Sequence, residues 1–558
     1  MFNFRRLPRI FALFLAFSMQ ACGAAQTGAD SGVSRALLDI HERLYLEPDG
    51  RAIFPGTTIY EPKLVEAFYQ SRGYQPAWVD AAYAQEMLQL LKSSEEEGLN
   101  PADYHYEELL ALREEYRKSW SDKDNLRAQA EVLLTDGIVL YARHLIQGKV
   151  DPRTLDSSWN YARRNIVPTS VAENLSAAIA SRRVAQVLAE LKTDTGFYTL
   201  MKQQLGHYRQ LAVRENFSPV PADAVLRRGD RQPNIVVLRR RLKQLSYLAL
   251  DVPETDSFDA SVDEAMRQLQ RDHNLDVDGI VGEQSFQVLN QSFSDKVDRL
   301  RINMDRLRWI SQEVSKDFIV VNIAGYELYY MRNREPVWET PVMVGTIDTR
   351  TPIFQAPLRY LEFNPTWNAP RSLIVRNLFP KFKADPQYVL DKGYKFYDGK
   401  GVEVEPMSID WDAYTARTFP YRVVQMPGPD NAMGRVKFMF PNQHAVYMHD
   451  TPSRQLFSRS QRAFSAGCIR VKNPLELARV LLDDPQSWSA DRIQATLDSG
   501  VPQQVVRMQR KVDVLLMYWT VSPATGGRLQ FHHDIYALDP AALTALNAAP
   551  TASAFVHN

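Results

Sequence analysis

A cysteine preceded in the sequence by a nearby histidine is the pairing in this chain that could do covalent chemistry. Cys468 lies in the segment 465–470, SAGCIR, and His449 ends a predicted β-strand. A thiol is a strong nucleophile only as the thiolate, and an imidazole commonly removes its proton. The alternative is an inert, buried cysteine, but the polar Ser465 and Arg470 make a poor apolar environment. The pattern predicts a cysteine acyl-transfer site.

Alternation along the predicted strand, 442–449, assigns the neighbouring side chains to two faces. Tyr447 and His449 share one face, and His444 lies on the other. We therefore predict that His449 is the base, that Tyr447 borders or polarises the substrate, and that His444 is structural. Gly467 lets the backbone approach a substrate closely, so its amide is a candidate donor to a developing oxyanion.

These residues resemble the signature of a known family. His449-Asp450-Thr451 followed by SAGCIR is similar to the pattern of YkuD-type L,D-transpeptidases, in which Ser-His-Gly-Cys-x-Arg follows a histidine. Ala466 replaces the second of these residues, so a histidine at that position is not essential to the assignment. The run 434–442, GRVKFMFPN, resembles the large multidomain YcbB-like subgroup of these enzymes.

The resemblance implies a periplasmic enzyme that crosslinks peptidoglycan without a cofactor. Cys468 would attack the tetrapeptide stem, form a thioester and pass the acyl group to an amine, which gives 3-3 crosslinks. The implied catalytic residues are Cys468, His449, Gly467 and Tyr447. The candidate substrate-binding residues are Arg470, Ser465, Lys437, Asn442 and Trp367. Carbapenems are expected to acylate the same thiol.

Two other functions stay open from the sequence. The same site with water as acceptor would make an L,D-carboxypeptidase or a crosslink endopeptidase, and a degenerate site would make a non-catalytic cell-wall adaptor. Lys437 is either a substrate contact or part of a solvated face. The acceptor is a stem diamine, a free D-amino acid or a protein.

The amino terminus predicts export from the cytoplasm. Residues 1–22 combine a basic start with a short apolar core, which is typical of a secretory signal. The segment ends at Cys22 in a context that resembles a lipobox, so we expect lipidation there, with ordinary signal cleavage near Gly23 as the alternative. The predicted membrane contact is this anchor alone. With two cysteines in different roles, no disulfide is expected.

Length and periodicity predict a multidomain α+β protein. A chain of 558 residues is too long for one core, and its zero formal net charge gives no indication of a nucleic-acid partner. The predicted units are a helical scaffold domain (60–215), a three-helix peptidoglycan-binding-like domain (226–290), and a mixed β-sandwich-like catalytic domain (316–540) with a capping insertion (about 365–416).

Three roles within these units are left open by the sequence. The domain at 226–290 either grips glycan strands or serves as a spacer. Trp367, in the capping insertion, either contacts substrate beneath a lid or belongs to a small separate core. The adjacent His532 and His533 lack carboxylates at ligand spacing, so no metal site is predicted.

Overall fold

The computed structural model describes residues 28–46, 57–119, 121–161, 166–193, 195–215, 218–310, 314–524 and 527–552. The predicted signal segment 1–22, and Cys22 with it, lies outside these residues. No helix in the described ranges has the length and apolar composition needed to cross a membrane. A helical first half precedes a mixed β-sheet, which confirms the predicted multidomain α+β class.

The amino-terminal unit is a bundle organised around one central helix, α5. Its helices are α1 (Gly28–Leu46), α2 (Pro62–Ser71), α3 (Ala81–Lys92), α4 (Tyr106–Lys118), α5 (Lys123–Gln147), α6 (Pro168–Ala180), α7 (Val184–Leu191) and α8 (Gly196–Arg214). Gly137 of α5 permits close packing, since a Cβ there would lie 2.5 Å from the Tyr104 carbonyl oxygen. Buried Glu131 and Asp136 accept hydrogen bonds from amides of the loops before α2 and α3. These contacts fix the loops to α5.

A small helical unit with an apolar core of its own follows the bundle. Its helices are α9 (Asn234–Gln244), α10 (Ala260–Asp272) and α11 (Glu283–Leu289). The turn before α11 requires Gly279, whose φ is +76°. The Asp276 carboxylate accepts a hydrogen bond from the Ser460 amide at 3.2 Å, and Asp272 pairs with Arg528 at 2.8 Å. The unit therefore docks directly on the β-rich half of the chain.

Helix α12 (Phe293–Arg308) joins the helical half of the molecule to the β-rich half. Its buried Arg308 donates to the carbonyl oxygen of Glu97 in the bundle. Its Arg306 forms an ion pair of 2.6 Å with Asp539, close to the carboxyl terminus. Because one helix binds both halves, the bundle and the β-rich half share a continuous core.

Glu97 is the central acceptor of this junction, and its replacement provides a first prediction. Its buried carboxylate accepts hydrogen bonds from Tyr198 at 2.7 Å and Lys202 at 2.8 Å, and it pairs with Lys192 at 2.9 Å. Burial raises the pKa of Glu97, but Lys192, Arg308 and the hydrogen bonds outweigh burial and lower the pKa to about 2. Glu97→Gln leaves these cations uncompensated, and we expect the free energy of unfolding to fall by about 3 kcal/mol at neutral pH.

The pH dependence checks this explanation by urea unfolding. A carboxyl whose pKa is lower in the folded than in the unfolded state stabilises the fold above about pH 4.5, and that stability is lost as the pH falls towards 2. The difference between wild type and Glu97→Gln should therefore shrink on acidification. Glu114→Gln, at an exposed carboxylate of α4, is the matched control. A difference that stays constant with pH would contradict the explanation.

The β-rich half begins at residue 317 and contains a closed, mixed sheet. The strands are β1 (Asp317–Asn322), β2 (Glu327–Arg332), β3 (Glu335–Gly345), β4 (Gln355–Phe363), β5 (Trp367–Asn368), β6 (Tyr394–Tyr397), β7 (Glu403–Val404), β8 (Arg422–Gln425), β9 (Val436–Met439), β10 (Met448–His449), β11 (Ala463–Ser465), β12 (Ile469–Val471), β13 (Gln504–Met517), β14 (Val521–Pro523) and β15 (Leu529–Phe531). Among described residues, nine strands follow the order β11-β3-β12-β10-β9-β4-β13-β1-β2, and β2 also pairs with β3. The sheet therefore curls round its core, as the sandwich-like prediction requires.

Short helices accompany these strands. They are α13 (Arg371–Leu373), α14 (Phe379–Ala384), α15 (Pro386–Asp391), α16 (Pro474–Leu482), α17 (Ala490–Asp498) and α18 (Asp539–Asn547). The strand predicted over 442–449 is shorter than expected, because Ala445 has a φ of +53° and lies in a turn. Only its end, Met448–His449, pairs with neighbouring strands.

The central strands have one apolar face and one polar face. Phe438 of β9, Met448 of β10 and Ile469 of β12 are fully buried in the core. Because side chains alternate along a strand, the residues next to these three along each strand point to the opposite face. That opposite face carries the candidate active site.

The segment between β4 and β9 forms a separate unit with its own sheet, in the order β5-β8-β6-β7. Its core is largely aromatic and includes Phe382, Phe396, Trp411 and Phe419. Strand β8 completes this sheet, so the inserted unit reaches Gln425, whereas the sequence predicts an end near 416.

Candidate active site

Strands β9, β10 and β12 lie side by side and bring the predicted residues onto one face. His449 of β10 is the register partner of Lys437 on one side and of Arg470 on the other. The amide of the residue after Cys468 donates to the Tyr447 carbonyl at 3.0 Å, which sets Cys468 beside Tyr447. Since neighbouring strands are about 4.8 Å apart, these five side chains form one patch.

The turn that presents Cys468 is held by its own hydrogen bonds. Gly467 has a φ of +112°, which favours glycine, and its amide donates to Ser465 Oγ at 3.1 Å. Ser465 Oγ in turn donates to the Cys468 carbonyl oxygen at 2.5 Å. The Gly467 amide is therefore engaged within the turn, and Ser465 lies beneath the turn as a support.

Two further residues, which the sequence analysis did not identify, hold the turn from outside. Thr351 Oγ1 donates to the Gly467 carbonyl at 2.8 Å and accepts from the Gly345 amide at 2.9 Å. The Tyr536 hydroxyl accepts from the Thr351 amide at 3.0 Å and donates to the Gly345 carbonyl at 2.8 Å. Thr351 is 116 positions from Gly467 in the sequence, so no local pattern could have revealed its role.

Thr351→Val tests how much this support contributes to the reactivity of Cys468. Valine has nearly the same shape but lacks the hydroxyl, so the Gly467 carbonyl and the Gly345 amide each lose a partner. We expect the rate of the predicted acylation of Cys468 to fall about 5-fold, since one hydrogen bond contributes about 1 kcal/mol. Intact-protein mass spectrometry at successive times after addition of a carbapenem measures the rate. Thr351→Ser, which keeps the hydroxyl, is the control. An unchanged rate in Thr351→Val would refute a positioning role.

Both Cys468 and His449 are neutral in the resting site. Burial raises the pKa of the Cys468 thiol, and the opposing effects of Tyr447, Lys437 and Arg470 do not overcome it. Burial, reinforced by the charge of Arg470, lowers the pKa of His449 to about 3. Desolvation thus favours the uncharged form of each group.

At rest, the thiol donates a hydrogen bond to a backbone carbonyl in the turn before β10. Cys468 Sγ donates to the Ala445 carbonyl oxygen at 3.9 Å, a contact that suits a protonated sulfur. The sequence predicts that the nearby imidazole activates the Cys468 thiol. A separated thiolate and imidazolium would both be desolvated here, so burial favours the uncharged thiol and imidazole at rest.

Tyr447 is close to Cys468 on one side and to Lys437 on the other. Its ring centroid is 5.6 Å from that of His449, and Lys437 Nζ lies 4.1 Å from the Tyr447 centroid. Burial and the adjacent Cys468 raise the pKa of Tyr447 above its ordinary value. The hydroxyl therefore stays protonated at neutral pH and can donate a hydrogen bond.

Asp450 follows His449, but its carboxylate binds groups of the neighbouring loops and is not the third member of a catalytic triad. It accepts hydrogen bonds from the amides of Arg435 at 2.9 Å and Thr451 at 2.8 Å, and from the Arg454 side chain at 3.3 Å. Backbone groups of Asp450 partly oppose the lowering of the His449 pKa. The carboxylate therefore holds the loops beside the histidine.

The remaining predicted residues lie at the margins of the patch. Asn442 Nδ2 donates to carbonyl oxygens on both sides of the turn before β10, each at 2.7 Å, and its Oδ1 accepts from the His444 amide. The His444 ring packs 4.9 Å from that of Phe354. Trp367 is half-buried against the aromatic core of the inserted unit. These contacts indicate structural roles for Asn442 and His444.

One histidine of the adjacent pair His532-His533 has a side-chain partner in the protein. His532 is buried, and its Nε2 lies 2.7 Å from Ser522 Oγ. Within the described ranges, no group of three or more histidine, cysteine, aspartate or glutamate side chains is arranged to hold a metal ion.

Comparison with family models identifies the units of the chain. Residues 316–496 match the YkuD family model, described as the L,D-transpeptidase catalytic domain. Residues 63–205 match a scaffold domain, and residues 231–289 match a domain described as "Putative peptidoglycan binding domain". The chain therefore carries a YkuD-type L,D-transpeptidase catalytic domain together with a peptidoglycan-binding domain, which confirms the resemblance found in the sequence.

A curated relative supports the same family. The chain is 39% identical over 249 residues to a Haemophilus influenzae protein named "Putative L,D-transpeptidase", and the match covers 44% of this chain and 49% of the relative. The chain thus spans about half the length of the curated relative that it matches.

Solved structures with related names show only weak overall likeness. An L,D-transpeptidase from Mycobacterium smegmatis is 13% identical, with 36% of this chain and 58% of that chain covered and a TM-score of 0.18. An L,D-transpeptidase from Xylanimonas cellulosilytica is also 13% identical, with 53% and 98% covered and a TM-score of 0.16. Scores this low carry no weight for the fold.

Proposed function

We propose that this protein is a cysteine-dependent L,D-transpeptidase of the YcbB-like type that forms 3-3 crosslinks between peptidoglycan stems. The observation that carries the proposal is the pairing of β10 with β12, which sets Cys468 beside Tyr447 and His449 on one polar face. The family of the catalytic domain, 316–496, is consistent with this chemistry.

The first half-reaction acylates the enzyme. Cys468 Sγ attacks the carbonyl between the third and fourth stem residues while His449 takes the thiol proton. The Tyr447 hydroxyl and the Cys468 amide are the proposed donors to the oxyanion, because the Gly467 amide is engaged with Ser465. Collapse of the tetrahedral intermediate breaks the C–N bond, and His449 returns the proton to the departing D-amino acid.

The second half-reaction transfers the acyl group to an amine. The acceptor amine attacks the thioester carbonyl and gives its proton to neutral His449. Collapse breaks the C–S bond, and the sulfur recovers the proton from His449, so the resting pair is restored. Water in place of the amine would give hydrolysis through the same steps.

Arg470 and Lys437 are the proposed contacts for anionic substrate groups. Arg470 is half-buried, and its buried Nε has no hydrogen-bond partner among the described residues. A buried guanidinium nitrogen without an acceptor favours an anionic ligand such as the terminal carboxylate of the donor.

The other units suggest where and on what the enzyme acts. We propose that 226–290 binds glycan strands, that the inserted unit acts as a lid over the donor, and that Trp367 contacts substrate from the lid. A peptidoglycan substrate places the protein in the cell envelope, and we propose the periplasm, with lipidation of Cys22 as the membrane anchor.

Product analysis with purified muropeptides tests the proposal. A protein lacking residues 1–22 is incubated with tetrapeptide muropeptides, and both the protein and the products are analysed by mass spectrometry. We expect a covalent stem adduct and crosslinked dimers. Tripeptide muropeptides, which lack the bond to be broken, are the matched control and should give neither. A carbapenem should form a stoichiometric adduct.

The alternative functions predict different products. An adduct accompanied only by shortened monomers would indicate hydrolysis instead of transfer. A folded protein that forms no adduct with either the tetrapeptide or the carbapenem would favour the non-catalytic adaptor and refute the proposal.

A further inference from the structure

A buried asparagine joins the inserted unit to the strand beside the catalytic base, and the mechanism above does not use it. Asn431 is 1% exposed and lies in the return loop, residues 426–435, which connects β8 to β9. Its Nδ2 donates to the carbonyl oxygens of Gln425 at 3.1 Å and Met426 at 2.9 Å. Its Oδ1 accepts from the Met433 amide at 2.7 Å. One side chain thus ties the last strand of the inserted unit to the far end of the return loop.

A second buried amide side chain, that of Gln425, makes the return loop stiff. Gln425 is 2% exposed, and its Nε2 donates to the carbonyl oxygens of Lys392, within the inserted unit, at 3.1 Å and of Asp430, in the loop, at 2.9 Å. Its Oε1 accepts from the Ala432 amide at 2.9 Å. Because buried side chains hold the loop at several points, we expect the loop to move as one body with the inserted unit.

The far end of the return loop packs on the residue that follows the catalytic base. Gly434 has a φ of +62°, and a Cβ there would lie 2.4 Å from Asp450 Cβ. The next amide, that of Arg435, donates to the Asp450 carboxylate at 2.9 Å. Since Asp450 directly follows His449 in the chain, a displacement of the return loop is passed on to the base.

His449 lacks a hydrogen bond that would fix its orientation. Burial lowers its pKa most, and backbone groups of Asp450 and Met433 partly oppose that effect. A backbone group that raises the pKa of an imidazole is a carbonyl oxygen that faces a ring N–H. Nδ1 is nevertheless buried without a partner in full hydrogen-bond geometry among the described residues, and such an atom calls for an explanation. The acceptors are therefore close to the ring, but Nδ1 is bonded to neither.

We propose that Asn431 is a positioning residue that couples the inserted unit to His449. When the inserted unit closes over the donor, the return loop moves with it and brings the Met433 carbonyl oxygen into a hydrogen bond with the Nδ1–H group of His449. The inference rests on the proposed function, in which the inserted unit is a lid, and it adds how binding of the donor prepares the base.

This hydrogen bond decides which ring nitrogen of His449 acts as the base. With the proton held on Nδ1, the free lone pair lies on Nε2. Nε2 then takes the thiol proton as Cys468 Sγ forms its bond to the donor carbonyl carbon, and it returns that proton to the departing amine when the C–N bond breaks. The Met433 carbonyl stabilises the positive charge that the ring carries between these steps. Asn431 acts on the reacting atoms only through Met433.

Asn431→Ala removes both ends of this connection. We expect kcat for tetrapeptide muropeptides to fall about 10-fold or more, because a small misplacement of a reacting group is costly. KM should stay within about two-fold of the wild type, because the contacts that bind the donor remain. Release of the terminal D-amino acid at varied muropeptide concentrations measures both constants, and circular dichroism checks that the variant is folded at the assay temperature.

A double-mutant cycle shows whether Asn431 acts through the base. In a His449→Gln background there is no imidazole to orient, so Asn431→Ala should change the slow residual acylation by the tetrapeptide by less than about two-fold. In the wild-type background the same substitution should slow acylation about 10-fold or more. A purely structural role would lower the rate by a similar factor in both backgrounds.

Gly434→Ala disturbs the other end of the connection and provides a second variant. Its added Cβ would push the return loop away from Asp450, so kcat should again fall about 10-fold or more with little change in KM. If Asn431→Ala does not fold, Gly434→Ala takes its place in the cycle. Gly428→Ala, in the same loop, is the matched control. A Cβ there meets nothing within 4 Å, so both constants should stay within about two-fold of the wild type.

Distinct outcomes overturn the inference and the proposed function. A raised KM with unchanged kcat in both loop variants would limit the return loop to donor binding and refute its coupling to the base. Unchanged kcat and KM, or equal losses with and without His449, would refute the coupling as well. A wild type that forms no adduct with either the tetrapeptide or a carbapenem would refute the proposed function itself, and the inference with it.

Discussion

Cys468→Ala is expected to abolish both the covalent adduct and crosslinking, a loss of about 10⁴-fold or more, as when other enzymes lose their nucleophile. The methyl group cannot form a thioester, and no nearby residue replaces the sulfur in the proposed mechanism. Because Cys468 is only partly buried, its truncation leaves little cavity and the fold should be retained. Intact-protein mass spectrometry with tetrapeptide and carbapenem measures the loss.

The chain offers a matched control for this variant. Cys22 is its other cysteine, so Cys22→Ala in the full-length protein should keep the adduct and the crosslinking activity. Cys468→Ser should resemble the alanine variant, because a hydroxyl is a far weaker nucleophile than a thiol when the base is a neutral imidazole of low pKa. An adduct on Cys468→Ala, or its loss in Cys22→Ala, would assign the nucleophile to another residue.

The part of the site that could be predicted from sequence is the part carried by neighbouring residues. Cys468, Gly467 and Arg470 lie within one hexapeptide, and alternation correctly paired Tyr447 with His449 although the strand is shorter than predicted. The alternation holds because the last few residues are extended even where Ala445 has turned.

The rest depends on strand order, which local patterns do not encode. Thr351 meets Gly467 because β3 lies beside β12, and Lys437 lies beside His449 because β9 pairs with β10. The capping insertion extends past residue 416 to Gln425 for the same reason, since β8 pairs with β5 and β6 rather than with the main sheet.

The charge state of the site also had to come from the structure. The sequence indicates a cysteine near a histidine and an arginine, which alone favours a thiolate. Burial reverses this preference: it raises the pKa of Cys468 and lowers that of His449. The energetic balance depends on how completely the sheet and loops exclude water, and one motif does not specify that.

His449→Gln is expected to reduce kcat/KM about 10³-fold, within the range found for a lost general base. Glutamine has a similar size and polarity but cannot take the proton from Cys468 or from the acceptor amine. Both half-reactions should therefore slow. Rapid-mixing mass spectrometry of acylation, with a separate measurement of dimer formation from pre-acylated enzyme, distinguishes the two steps.

The pH profile tests the neutral pair in the same experiment. Because the pKa of His449 is about 3 in the folded protein, the imidazole remains an unprotonated base well below neutral pH. The wild type should therefore show no acid-side loss of kcat/KM between about pH 7 and about pH 5, where an ordinary histidine of pKa about 6.5 would be protonated. A fall centred near pH 6.5 would contradict the buried, neutral base.

Protein stability provides an independent readout of the same histidine. A base whose pKa is about 3 when folded and 6.5 when unfolded stabilises the fold fully above 6.5, and that stability is lost as the pH falls towards 3. His449→Gln removes this titration, so its unfolding free energy should fall less steeply between those pH values than that of the wild type. Parallel slopes for wild type and His449→Gln would mean that His449 is hydrated in the folded protein, which would contradict the buried, neutral base.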